Sequence, residues 1–346
     1  MKFCIDIAPH TLHFKQPAGT SRGVYLTRKT WFITLSSPEK PGVKGVGECA
    51  PLPNLSCDDL PNYEDCLRHA CQRLCETGEI QHEELLPYPS IRFGLECALW
   101  QWQRNGDMAL SQTPFGRGEM GIPINGLVWM GTFEEMAARI EEKLKQGFRC
   151  VKLKIGAIDF ERELQLLGLI RNTFSRQEVE LRVDANGAFA PNEALAKLDK
   201  LATLDIHSIE QPIAKGQWHE MAKLCKHSPL PIALDEELIG ANSLSMKETL
   251  LDTISPQYLV LKPSLHGGIA GTKEWIELAQ KRNIDSWITS ALESNVGLNA
   301  IAHLTSEVYG PQINIPQGLG TGQLFTDNIA MPLQIKGDNL WFLPNF

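Results

Sequence analysis

CVKLKIG, residues 150–156, carries two lysines at alternate positions. Residues two apart on a strand share a face, so Lys152 and Lys154 point one way while Val151, Leu153 and Ile155 point the other. A strand within a folded protein rarely turns two cations toward its own interior. Crowded ammonium groups are harder to keep protonated, and one of a pair can be neutral near pH 7 and act as a base. Taken alone, the seven residues are better read as an ordinary amphipathic strand with a solvated lysine face. The acidic residues downstream overturn that reading.

Around this stretch the sequence alternates regularly. Strand patterns fall at 122–128, 150–156, 179–184, 206–212, 231–236, 258–263, 286–292 and 312–316. Helical periodicity fills the intervals at 132–146, 159–174, 191–204, 218–227, 243–254, 269–282 and 295–308. Thr132 with Glu135 forms a capping-box pattern, and Gly147 is a helix stop. Eight strands alternating with seven helices predict α/β architecture with a parallel, closed barrel. An open doubly wound sheet is the alternative, but the first turn, 126–131, lacks a phosphate-binding glycine pattern. Residues 1–105 read as an α+β unit, with strands at 3–7, 12–14 and 30–36, a polar loop at 16–28, and helices at 60–76 and 90–103. The expected division is therefore 1–105, joined by the C-terminal tail from about 325 to 346, and a barrel over 106–324.

Barrel enzymes keep their chemistry at the C-terminal ends of the strands. Here those ends carry Lys152 and Lys154, then Asp184 with Asn186, Glu210, Asp235 with Glu236, and Lys262. The successive intervals along Asp184, Glu210, Asp235 and Lys262 are 26, 25 and 27 residues, each about one β/α unit. One carboxylate thus falls on each of three successive strands, flanked on either side by lysine. A single Asp after a strand is more often a helix N-cap or a surface ion pair. Five matched strand ends are hard to produce by chance. Three converging carboxylates repel one another and need a cation, and an all-oxygen donor set suits a hard ion such as Mg2+, with Mn2+ as the alternative. Such an ion between two lysines fits abstraction of a proton next to a carboxylate, so the expected partner is a small-molecule carboxylate substrate.

The motifs KLK at 152–154, DANG at 184–187, EQP at 210–212, LDE at 234–236 and LKP at 261–263 resemble the enolase superfamily in its muconate-lactonizing branch. The likeness covers nearly the whole chain. It implies a (β/α)7β modified TIM barrel beneath an N-terminal α+β capping domain. It implies Asp184, Glu210 and Asp235 as Mg2+ ligands, Lys154 and Lys262 on opposite faces of the substrate, and Lys152 as the group that lowers the pKa of Lys154. SALESNVGLNAIAHLTS at 290–306 and GLGTGQLF at 318–325 resemble the o-succinylbenzoate-forming dehydratases of that branch. The glycines of the second stretch miss a dinucleotide pattern, because Gln323 stands where the third glycine belongs. They read as letting backbone amides approach a substrate carboxylate. The candidate substrate-binding residues are Arg22 in the 16–28 loop, Asn186, Ser290, Gly318 and Gly320. Dipeptide epimerases of the branch hold an ammonium group with Asp-x-Asp on the eighth strand. This chain reads IPQGLGTG there, which fits a dianionic substrate. The motifs leave two enzyme classes open, a dehydratase using Lys154 as base and a two-base racemase or epimerase. A barrel kept only as a binding scaffold would be favoured by loss of a ligand or lysine, and none is lost.

Composition sets the outer bounds. With 346 residues, 43% of them hydrophobic, the chain can bury a large core, and one large plus one smaller domain is expected. A net charge of −8 without a basic run argues against nucleic acid as a partner. The opening MKFCIDIAPHTLHF alternates like a strand and lacks the apolar run of a leader, and no window has membrane-span length. Nine cysteines without a C-x-x-C pair read as reduced thiols of a cytoplasmic protein. Oligomeric state is not legible in the sequence.

Overall fold

The structure is a computed structural model that describes residues 2–20 and 23–346. The chain begins with a three-stranded antiparallel sheet, β1 (Cys4–Thr20), β2 (Gly23–Ser36) and β3 (Lys44–Cys49). Helices α1 (Tyr63–Thr77) and α2 (Pro89–Gln103) cover one face of it. The core between them is built from Ile33 and Leu35 of β2, Leu67 and Leu74 of α1, and Ile91, Leu95 and Trp102 of α2.

Two features differ from the sequence reading. The loop expected at 16–28 is mostly strand: β1 and β2 form one long hairpin whose register shifts between His13 and Ala18. Polar and small residues suggested a loop, but a hairpin needs only one apolar face, and its backbone hydrogen bonds are satisfied across the pair. Arg22 lies outside the described residues. The second feature is β3, KGVGEC, a strand absent from the sequence reading, with glycine at positions 45 and 47. A Cβ at Gly45 would lie 1.9 Å from Ala98 O, and one at Gly47 1.9 Å from Gly94 O. Here glycine marks the direct approach of a strand backbone to a helix backbone.

The barrel follows β4 (Ile122–Pro123), a strand of a separate antiparallel sheet. Its elements are β5 (Gly126–Val128), α3 (Phe133–Lys145), β6 (Cys150–Lys154), α4 (Phe160–Thr173), β7 (Glu180–Asp184), α5 (Pro191–Ala202) and β8 (Ser208–Glu210). Next come α6 (Trp218–His227), β9 (Ile232–Leu234), α7 (Leu244–Ile254), β10 (Tyr258–Leu261), α8 (Gly268–Gln280), β11 (Asp285–Ile288) and α9 (Asn295–Tyr309). Strands β5 to β11 form one parallel sheet in chain order. The eighth position is not at 312–316 but at Gln317 and Gly318. Gln317 bridges Ile124 and Gly318 bridges Thr289, both in parallel sense, which closes the barrel. Thr132 and Glu135 make the expected capping box at α3.

Outward-facing Val151, Leu153, Leu181, Val183 and Ile209 are buried under the helices. The inward face is polar: Lys152, Lys154, Arg182, Asp184, Ser208 and Glu210 alternate with them. Arg182 fills the interior below the acids, pairing with Glu180 at 2.7 Å and stacking 4.4 Å from the Trp287 ring. The C-terminal segment goes two ways. Phe325 bridges Phe14 and Asp327 accepts from His13, both on β1. The terminal hairpin, β12 (Leu333–Lys336) and β13 (Asn339–Phe342), instead pairs with β4, so the end of the tail lies on the barrel side. Among the described residues, no helix is long and apolar enough to cross a membrane.

Candidate active site

Strand register brings the acids together. Lys154 pairs with Asp184 across β6 and β7, and Asp184 with Glu210 across β7 and β8. Glu210 pairs with Ala233, so Asp235 lies two residues further along its own chain, at the turn after β9. That turn is held from Gln211, which sits at φ 39° and is fully buried. Its Oε1 accepts from the Asp235 and Glu237 amides at 3.3 and 3.2 Å, and its Nε2 donates to Glu237 at 3.1 Å. The sequence reading passed over Gln211. Its only signal was a position between the acid and the proline of the EQP motif.

Asp184, Glu210 and Asp235 each offer an oxygen, and these oxygens lie within 4.8 Å of one another. All three side chains are buried, with at most 1% exposure. Glu210 Oε1 has no hydrogen-bond partner. A buried carboxylate oxygen without a donor, in a cluster of three acids, is the environment a cation would complete. The residues therefore fit a divalent ion, and the donor set is that of a hard one.

Lysines surround the triad. Lys152 Nζ lies 2.6 Å from Glu210 and 3.2 Å from Asp184. Lys154 Nζ lies 3.1 Å from the same Asp184 oxygen and 2.8 Å from Asn186 Oδ1. Lys262 Nζ contacts both oxygens of Asp235, at 2.6 and 2.5 Å. Strands β6 and β10 are four positions apart in an eight-position barrel, so Lys154 and Lys262 face each other across its mouth. Burial disfavours the charge of Lys152, but Glu210, Asp184 and Asp235 outweigh it and hold its pKa above the ordinary lysine range. Burial likewise opposes the charge of Lys262, and Asp235 and Glu236 prevail. Asp184 is buried too, yet Lys154, Lys152 and Lys262 depress its pKa. Glu210 goes the other way. Burial, aided by Asp184 and Asp235, lifts it to about 7 despite Lys152.

Above this layer is a cavity of about 380 Å3, within the range of small-ligand sites. Lys152, Lys154, Asp184, Asn186, Lys262, Ser290, Gly318 and Gly320 all line it. Glu210 and Asp235 are not among its lining residues. Gln16, Pro17, Ala18 and Tyr25 of the β1–β2 hairpin close it from the cap side. An apolar collar of Leu52, Leu55, Trp129, Leu292 and Leu324 surrounds the mouth. Leu52, Leu55 and Trp129 carried no motif in the sequence, whereas Leu292 and Leu324 fall within the 290–306 and 318–325 stretches. Asn186 is fixed by Lys154 on one side and by its donation to Glu236 at 2.9 Å on the other. Ser290 Oγ pairs with Thr321 Oγ1 at 2.5 Å. Gly318 does not offer its amide as expected: that N–H donates to Ile288 O at 2.8 Å. A Cβ there would lie 2.1 Å from Thr289 Oγ1, so this glycine serves barrel closure.

Residues 135–334 match the family described as Enolase C-terminal domain-like, and residues 20–102 the one described as MenC, N-terminal domain. Among curated proteins, an o-succinylbenzoate synthase from Desulfotalea psychrophila is 45% identical, covering 94% of this chain and 95% of that protein. An L-Ala-D/L-Glu epimerase from Bacillus subtilis is 27% identical over 77% of this chain and 74% of that one. The crystal structure of MenC from Desulfotalea psychrophila superposes with a TM-score of 0.86 at 40% identity, covering 99% of this chain and 100% of the other.

Proposed function

This chain belongs to the enolase superfamily, and from that membership we propose that it is an o-succinylbenzoate synthase. The reaction is loss of water from 2-succinyl-6-hydroxy-2,4-cyclohexadiene-1-carboxylate, a carbon–oxygen lyase step of menaquinone biosynthesis, carried out in the cytoplasm. The observation that carries this choice is the 45% identity, end to end, with a curated enzyme of that activity. The two-lysine, three-acid layer supports it.

In this reading residues 1–105 cap the barrel of residues 106–324, and the substrate lies between Lys154 and Lys262. Asp184, Glu210 and Asp235 would hold Mg2+, with Mn2+ as substitute. When bound, the ion supplies positive charge where the carboxylate becomes an enediolate. Lys154, in its neutral form, takes the proton from the carbon that bears the carboxylate. Lys262, cationic, faces the opposite side and stabilises the enediolate. The C–O bond to the neighbouring hydroxyl then breaks. Lys154 returns its proton to the departing hydroxide on the same face, so water leaves and the ring becomes aromatic. Lys152 holds Glu210 and Asp184 in place. Asn186 orients Lys154. Ser290 and Gly320, on the cavity wall, would contact the substrate, and Arg22, outside the described residues, would bind a substrate carboxylate.

The test is turnover of the purified protein with Mg2+ on the cyclohexadiene precursor, run beside a panel of N-succinyl amino acids and dipeptides. We expect o-succinylbenzoate from the precursor. Racemisation of the panel without dehydration would favour the second reading, a racemase or epimerase in which both lysines act as bases. The 27% identity with an epimerase keeps that reading in view.

A further inference from the structure

A further buried cation, Arg28 in β2, takes no part in the chemistry above. Its side chain has no exposure. Taking a guanidinium out of water is costly unless its donors are used. Here they go to backbone carbonyls from two separate loops. On the cap side Nη1 donates to Pro51 O, and Nη2 donates to Ala50 O at 2.6 Å. On the barrel side Nη2 donates to Ala291 O at 3.4 Å, and Nε donates to Leu292 O at 3.3 Å. A planar fork with five donors can hold two loops at once, whereas an ammonium group cannot fix both directions.

Both loops form walls of the cavity. Ala50 and Pro51 lead into Leu52 and Leu55, which line it together with Ala291 and Leu292. Leu292 sits at φ 64°, in the left-handed region that an L residue keeps only when its surroundings hold it there. The next residue, buried Glu293, accepts from the Ala291 amide at 2.7 Å and from Ser264 Oγ. Ser264 follows Lys262 by two residues, on the same loop. The backbone amide of Lys262 is itself held by His266 Nδ1 at 2.9 Å. Contacts therefore run without a gap from the cap strand, through the strained loop, to the turn that carries the lysine.

We propose that Arg28 is a positioning residue that sets the spacing of the cap-side and barrel-side cavity walls and, through Glu293 and Ser264, the loop of Lys262. Its kinetic consequences rest on the dehydration reading. The competing account is a buried arginine that only adds stability.

Arg28→Lys keeps the charge and removes the fork. In the folded variant, KM for the precursor should rise about 10-fold or more, and kcat should fall less. Ser264→Ala, at the far end of the chain of contacts, should lower kcat by roughly 5-fold or more with KM little changed. A stability role alone would shift Tm and leave both constants per folded molecule unaltered, and that result overturns the proposal. Should Arg28→Lys fail to fold, Ser264→Ala and Glu293→Gln decide it: unchanged kcat in both refutes the link to Lys262. If the wild-type protein does not dehydrate the precursor, the reaction assignment falls, and the clamp is judged by hydrogen exchange. The Ala291 amide should then exchange faster in Arg28→Lys than in wild type, with Leu304 in α9 as unchanged reference. Equal protection of Ala291 in both proteins sinks it.

Discussion

Lys154 and Lys262 differ in what they hold. Lys262 spends both of its contacts on one carboxylate, Asp235, which keeps it a cation. Lys154 shares its acid with Lys152 and gives its shorter bond to the neutral amide of Asn186. The proposed reaction gives the two lysines different parts, Lys154 as the base and Lys262 as the cation beside the enediolate. Lys154→Ala and Lys262→Ala should each lower turnover by on the order of 10²–10⁴ while leaving the circular dichroism spectrum native. Exchange of the substrate's α-hydrogen with deuterated solvent separates the roles. It should vanish in Lys154→Ala and persist in part in Lys262→Ala. Loss from one enantiomer in each variant would point instead to two bases. These reacting groups could be read from the sequence because each ends a strand at a nearly constant interval. Gln211 and Arg28 could not be read that way. Gln211 acts on backbone amides of the next strand's turn, and Arg28 acts on carbonyls 263 and 264 residues away. A buried polar side chain whose partners are main-chain atoms leaves no spacing to detect.

Elements show the same division. Strands β6 to β11 and all nine described helices follow from apolar periodicity, because each buries one face against a neighbour. The strand β3 does not, since its packing surface is bare backbone. Gly47→Ala puts a methyl group 1.9 Å from Gly94 O, which no rotamer can relieve. Urea unfolding of that variant should show a loss of roughly 2–4 kcal/mol, and a loss well under 1 would mean β3 can lift off α2 freely. One joint between the cap and the barrel is Glu96 of α2. It receives the Ile269 and Ala270 amides at the start of α8 and lies 3.4 Å from Arg92. Burial raises its pKa from 4.5 to about 7, against the pull of Arg92 and those amides. A raised folded-state pKa means that the proton binds the native protein more tightly. The stability this gives is complete below about pH 4.5 and is lost as pH rises to about 7. The span is worth on the order of 3 kcal/mol at most. Thermal unfolding from pH 4.5 to 7 should therefore fall more steeply in wild type than in Glu96→Gln. Parallel curves would mean that Glu96 is charged throughout.

For the molecule as a whole, the acid triad links folding to an ion. Asp184, Glu210 and Asp235 come from three strands and converge only when the barrel is closed, so the unfolded chain has no such site. An ion that binds the native state alone adds RT ln(1 + [L]/Kd), about 2.7 kcal/mol at a hundredfold excess over Kd. In a chain of 346 residues that corresponds to a rise in Tm of roughly 3–5 °C. Three lysines already neutralise part of the triad, so the gain should saturate with concentration as binding does. Non-specific salt screening would show no plateau, and potassium at matched ionic strength should give little effect. Glu210→Gln removes the acid whose second oxygen has no donor, and it should abolish the Mg2+-dependent rise while the protein stays folded. Chelation of the wild-type protein should remove turnover and the added stability together, and Mg2+ or Mn2+ should restore both. A Tm indifferent to either ion across millimolar concentrations would take the cation out of the scheme. The three buried acids would then be balanced by lysine alone, and stabilisation of the enediolate would fall to Lys262 without help.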